Sequence, residues 1–242
     1  MTKLSVNVNK VATLRNTRTI GIPSVVEASR ICLDAGAHGI TVHPRPDQRH
    51  IRPGDVTDLA KLLTSYPNAE FNIEGNPFYE YMRYAHEVRP AQCTLVSDLP
   101  EAETSDRGWD LRKDGGRLGP IIAELKSLGC RVSLFMNAET GSLRIAREIG
   151  ADRVEFYTAP YAHAFAKGDP MAAMPYKAAA LEAEALGLGV NAGHDLNLKN
   201  LPNLARAMNN LLEVSIGHAL ISDALEFGLR ETVRRYLACL EK

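Results

Sequence analysis

Residues 120–157 read PIIAELKSLGCRVSLFMNAETGSLRIAREIGADRVEFY, and this stretch decides the fold. Arg131–Met136 and Arg153–Tyr157 are short, nearly continuous apolar runs, as parallel strands covered by helices require. Pro120–Leu128 and Thr140–Ile149 carry helical patterns that stop at Gly129 and Gly150, where a left-handed residue ends a helix cheaply. A helix, a glycine and a strand, twice in succession, make the repeating unit of a parallel sheet with right-handed crossovers.

The alternation extends in both directions. Upstream, Leu4–Val8, Gly39–His43, Glu70–Glu74 and Gln92–Val96 read as strands; downstream, Gly189–Asn191 and Leu212–Ile216 do. Ser24–Ala35 is a helix with a capping Ser24 and a stop at Gly36, and Pro175–Leu186 is another that stops at Gly187. Eight such units predict a single α/β domain over residues 1–242, a (β/α)8 TIM barrel. No G-x-G-x-x-G follows the first strand, which removes the main dinucleotide-binding signature. The connection Ser97–Gly116, which holds Thr104 and Trp109, is long, polar and acidic, and reads as a lid.

Composition narrows the function. The chain has 242 residues, 45% hydrophobic and 24% charged, enough to bury a large core. A net charge of -1 offers no basic field for nucleic acid. Met1–Asn7 turns polar too early for a signal peptide, and no stretch reaches the ~18 apolar residues of a membrane span, so a cytoplasmic location is expected. Cys32, Cys93, Cys130 and Cys239 are far apart in apolar surroundings, as buried reduced thiols are.

In a β/α barrel, chemistry sits at the C-terminal ends of the strands. Reactive side chains gather at those positions. Asn7, Asn9, Lys10, Arg15 and Arg18 follow strand one; His43, Arg45, Arg49 and His50 follow strand two; Glu74 ends strand three. Glu155 lies on strand six, His194 follows strand seven and His218 follows strand eight. Gly193-His194 and Gly217-His218 suit backbone anion cradles, the latter at a helix starting near Ala219, and arginines grip phosphate through paired hydrogen bonds. Burial at a strand end raises a carboxyl pKa, which fits Glu74 and Glu155 for acid–base work, and histidines exchange protons near neutrality. Two other readings of the same residues stay open. One is a metal-assisted phosphosugar isomerase or aldolase using His43, His50, His194, His218 and Glu74, although no H-E-x-x-H motif is present. The other is a barrel that binds a phosphorylated metabolite without catalysis.

The runs VNVNKVATLRN (6–16), GITVHPRPDQRHI (39–51), VNAGH (190–194) and SIGHA (215–219) resemble those of the pyridoxine 5′-phosphate synthase (PdxJ) family, and the likeness extends along essentially the whole chain. The resemblance implies a transferase of vitamin B6 biosynthesis that condenses 1-deoxy-D-xylulose 5-phosphate with 3-amino-2-oxopropyl phosphate. The products would be pyridoxine 5′-phosphate, phosphate and water. It also implies a barrel with extra helices, a homo-octamer, and no redox cofactor or metal. Carried over by position, His43 is a general base, Glu74 a second proton acceptor, His194 a proton donor and Glu155 a transition-state stabiliser. Arg45, His50 and Thr104 hold the deoxyxylulose phosphate, lined also by Asn9 and Lys10. Asn7, Arg18, Gly217 and His218 hold the amino-ketone phosphate, together with Asp195. This chain departs from many family members, which carry Asp and His at positions 9 and 10 and Gly at 195. Asp195 places a negative charge near a phosphate, which repels unless it points away or pairs with Lys10 or Arg18.

Overall fold

The structure, a computed structural model, describes residues 1–100, 102 and 105–241. Eight parallel strands close in sequence order into a barrel: β1 Lys3–Asn7, β2 Gly39–Val42, β3 Glu70–Gly75, β4 Gln92–Leu95, β5 Arg131–Met136, β6 Arg153–Tyr157, β7 Gly189–Gly193 and β8 Leu211–Ile216. β1 and β8 pair in register from Lys3 with Glu213 to Val6 with Ile216, so no edge is left open. Among the described residues eleven helices surround the strands.

Alternation of period two sorts every strand. Leu4 and Val6, Ile40 and Val42, Val132, Leu134 and Met136, and Val154 and Phe156 join one apolar cluster against the helices. The intervening residues face the barrel axis, and they are mostly polar, Phe135 being an exception. Ser5, Thr41, Asn72 and Thr94 form a hydrogen-bonded belt across β1 to β4: Ser5 Oγ lies 2.6 Å from Thr41 Oγ1, Asn72 donates to Thr41 at 3.3 Å, and Thr94 donates to Asn72 at 2.9 Å. At the N-terminal end Arg131 pairs with Glu70 and donates to Gln92 at 2.8 Å, while Arg153 lies 3.6 Å from Glu213. Two residues further along each strand, the same face reaches the opposite rim as Asn7, Glu74, Phe135, Glu155 and Ser215.

The connection after β4 is shorter than expected, and the helix after it is longer. That helix is Leu111–Ser127, not Pro120–Leu128, so the connection ends at Asp110 instead of Gly116. Asp110 caps it, accepting from the Arg112 N–H at 3.2 Å, and Leu111, Gly115, Leu118, Ile122 and Leu125 form its buried stripe. Gly115 reads as loop in the sequence, yet here it lets the helix approach Ile145, whose Cγ2 would lie 3.3 Å from an added Cβ. Trp109 is buried just before the cap and donates its indole N–H to the Leu95 carbonyl at 2.9 Å. Thr104, the residue expected to make this connection part of the site, lies outside the described residues. No helix of the described residues is long and apolar enough to cross a membrane.

Candidate active site

A cavity of about 500 Å³ opens at the C-terminal rim of the barrel. Its wall brings together Asn7, Asn9, Lys10, His43, Arg45, His50, Glu74, Glu155, His194, Asp195, Gly217 and His218, residues more than two hundred positions apart at the extremes. Arg18 is exposed beyond the helix Asn9–Asn16 and does not line this cavity. Arg15 is buried behind it instead, paired with Asp55 and donating to the His50 carbonyl at 3.1 Å. With Asn16, which donates to the same carbonyl at 2.8 Å, it pins the loop carrying Arg45, Arg49 and His50.

The acid–base groups form a chain across three strands. His43 Nδ1 lies 3.9 Å from Glu74 Oε2. Asn7 donates to the same oxygen at 3.4 Å, and Ser215 donates to the other at 3.3 Å. Asn7 Oδ1 accepts the Asn9 N–H at 3.0 Å, and Asn9 Oδ1 in turn accepts the His43 N–H at 3.0 Å. An asparagine at position 9 therefore keeps the acceptor that orients His43. Burial pushes Glu74 up to about 8, with the charges of Asp98 and Glu213 adding to the rise. Glu155 is buried with Oε2 unpartnered; desolvation first, then the charges of Glu74 and Glu213, hold its carboxyl well above the usual range. His43 is driven the other way, well below the usual imidazole value, by burial and by Arg45, His50 and Arg49. These two buried carboxyls favour the protonated form while the imidazole favours the neutral form, so neutral acids and a neutral base share one cavity.

Cationic and backbone donors face the same space. Arg45, Arg49, Lys10 and the N-terminus of the helix His218–Phe227, preceded by Gly217, border it from the segments after the adjacent strands β8, β1 and β2. His50 Nδ1 accepts the Ile51 N–H at 2.9 Å, which leaves Nε2 as its protonated nitrogen, and burial with Arg45, Lys10 and Arg49 lowers its pKa to about 4. Gly217 packs on Asn7, whose Cβ would be 3.1 Å from an added methyl. Asp195 pairs with neither Lys10 nor Arg18: its carboxylate lies 3.4 Å from His194 Nδ1, and that contact holds its pKa below the usual value. His194 and Asp195 both have positive φ, 86° and 58°, a conformation that Asp and His enter more readily than most residues. The Tyr157 ring meets the His194 ring edge-on, centroids 5.0 Å apart.

Sequence reasoning missed Thr13, Ser105, Phe135 and Ser215, which also line the cavity. Period two counted back from the strand ends marks Ser215 and Phe135 as axis-facing, whereas nothing local marks Ser105. Among the described residues no group of three or more His, Cys, Asp or Glu side chains is arranged to hold a metal ion.

A closed parallel barrel with buried carboxyls, histidines and arginines around one mouth has the architecture of a β/α-barrel enzyme. The chain belongs to the family of the pyridoxal phosphate biosynthesis protein PdxJ, whose model matches residues 4–242. It is 53% identical over 246 residues to the pyridoxine 5′-phosphate synthase of Albidiferax ferrireducens, covering 99% of this chain and 97% of the relative. The enzyme of the same name from Porphyromonas gingivalis is 50% identical, covering 98% of each chain. Among solved structures, a tryptophan synthase from M. tuberculosis shares the barrel, with a TM-score of 0.68 at 11% identity over 99% of this chain and 94% of that one.

Proposed function

We propose that this chain is a pyridoxine 5′-phosphate synthase, joining 1-deoxy-D-xylulose 5-phosphate to 3-amino-2-oxopropyl phosphate with release of phosphate and water. The observation that carries this reading is the single cavity in which His43, Glu74, Glu155 and His194 stand beside cationic and backbone donors, in a chain of this family. The condensation is a series of proton transfers and eliminations. An amine adds to a ketone, water and phosphate leave, and an aldol-type closure completes the pyridine ring.

In this reading His43, neutral because it is buried among cations, takes the first proton. Glu74 is the second acceptor; with a pKa of about 8 it is mostly protonated near pH 7, and a cationic imine in the cavity would draw it toward the carboxylate. Glu155, kept neutral by burial, faces the charge that develops during closure, and His194 returns a proton. Arg45, His50, Asn9 and Lys10 hold the deoxyxylulose phosphate; the family reading adds Thr104, which lies outside the described residues. Asn7, Gly217, His218 and Asp195 hold the amino-ketone phosphate. Arg18 belongs to that second set, and its place outside the cavity means it must move, or be supplied by another copy, to serve it. The family reading also carries a cytoplasmic homo-octamer.

Purified protein mixed with both substrates tests the proposal through the ultraviolet absorbance of the new pyridine ring. Turnover is expected with and without a chelator. Loss of turnover on chelation would favour the metal-assisted isomerase or aldolase instead. His43→Ala is expected to lower kcat by roughly 10²–10⁴-fold, the usual contribution of a general base; near wild-type turnover in that variant would remove His43 from the role.

A further inference from the structure

Arg45 and Asp98 meet across the top of β3. Arg45 sits in the loop after β2, and Asp98 in the connection after β4. Arg45 Nη2 donates to Asp98 Oδ2, and the two side chains are only 4% and 5% exposed. The same carboxylate oxygen accepts the Ser105 hydroxyl at 2.7 Å, and the Asp98 carbonyl accepts the Asn76 amide at 2.8 Å. Arg45 Nη1 donates to the Ala102 carbonyl at 2.8 Å, and Arg49 donates to that carbonyl at 3.1 Å. Arg45 lines the cavity; Asp98 does not.

We propose that Asp98 is a positioning residue: it fixes the Arg45 guanidinium from behind, so that the remaining N–H groups are aimed into the cavity at the anionic end of one substrate. The inference rests on the reading above, in which Arg45 grips the deoxyxylulose phosphate. A guanidinium has five N–H donors in a rigid fork. Two are taken by Asp98 and Ala102, both outside the cavity wall, and three are left. A buried ion pair is weak evidence for stability alone, since apolar residues of equal volume commonly replace one at no cost. Its use here is directional: a planar fork clamped at one edge presents the other edge in a fixed plane, which suits a phosphate that accepts two parallel hydrogen bonds. Asp98 does not line the cavity, so its carboxylate holds the arginine without itself contacting the phosphate.

The test separates this role from general damage. Equilibrium binding of 1-deoxy-D-xylulose 5-phosphate and of 3-amino-2-oxopropyl phosphate would be measured by calorimetry for wild type, Asp98→Asn, Arg45→Met and the double variant, with turnover recorded in parallel. Asp98→Asn is expected to weaken deoxyxylulose phosphate binding roughly tenfold, the scale of one charge-assisted hydrogen bond, and the amino-ketone less than about twofold. In the Arg45→Met background the same change is expected to add nothing. Asp98→Glu should recover part of the loss. Ser105→Ala, which removes a hydroxyl from Asp98 without removing a charge, should shift binding in the same direction by a smaller factor, and it serves if Asp98→Asn does not fold. Equal weakening toward both substrates, a full effect in the Arg45→Met background, or tighter binding in Asp98→Asn would each overturn the proposal. Wild-type protein that binds the phosphate through Arg45 but makes no product would overturn the synthase reading and leave the Asp98 role standing.

Discussion

A single missing methyl decides how close two strands bring their chemistry. Gly193 ends β7 where Glu155 of β6 leans across, and a Cβ at 193 would collide with Glu155 Oε1 while coming within 3.3 Å of the Ser215 carbonyl. The carboxyl is buried, and its other oxygen is enclosed without a partner. Gly193→Ala is therefore expected to displace Glu155, to destabilise the fold by about 1–3 kcal/mol as overpacking does, and to cut kcat at least tenfold. Thermal melting and steady-state kinetics read both effects; an alanine variant with wild-type kcat would show that Glu155 does not need its present place. The next two residues carry positive φ, so the backbone turns sharply and sets His194 against Tyr157 and Asp195. At this scale the sequence was partly readable. Gly193-His194 stood out as a turn after a strand, whereas the partner of Asp195 was not legible, because contact between neighbours in the chain depends on φ and not on residue type.

Elements were legible where the period and the stop signals agreed. β5 and β6 run over the residues that the apolar pattern marks, and Ser24 caps Val25–Asp34 by accepting the Glu27 N–H at 3.2 Å. The strand run VSLFM looked uniformly apolar, yet Val132, Leu134 and Met136 pack on the helices while Phe135 lines the cavity. A doubly buried strand hides its two faces from a hydropathy reading, and only the polar residues of the axis-facing set betray them. The helix Leu111–Ser127 was hidden for a different reason: glycines at 115, 116 and 119 and Pro120 lower its intrinsic propensity, and the buried stripe from Leu111 to Leu125 outweighs them. With propensity this poor, its first turn leans on the cap. Asp110→Ala is expected to cost about 1 kcal/mol of stability, seen as a lower denaturant midpoint with unchanged slope. Since Asp110 is not part of the cavity wall, kcat should hold; no change in the midpoint would mean that Trp109 alone anchors the start of this helix.

For the molecule as a whole, gathering titratable groups in one buried place makes stability depend on pH in two opposed ways. His50 titrates near 4 in the fold and His43 well below the usual 6.5, so the unfolded chain binds more protons than the folded one below about 6.5. Their contribution to stability rises with pH up to 6.5 and is lost on acidification. Glu74, at about 8, together with Glu155 and Glu213, both raised chiefly by burial, does the reverse. Between the usual carboxyl value and about 8 the folded state holds the extra protons, so this stability is complete in acid and disappears as pH rises through the folded pKa. The two arms oppose each other below 6.5, and above it the carboxyl arm acts alone. Stability should therefore fall between pH 6.5 and about 8, with Glu74 accounting for about 2 kcal/mol over that interval at the standard 1.36 kcal/mol for each pH unit. Glu74→Gln keeps the shape and removes one of the raised carboxyls, so its urea midpoint should decline less steeply from pH 6.5 to 9 than that of wild type. Parallel declines in the two proteins would mean that Glu74 is already ionised in the fold, and the arrangement of neutral acids around a neutral His43 would then have to be abandoned.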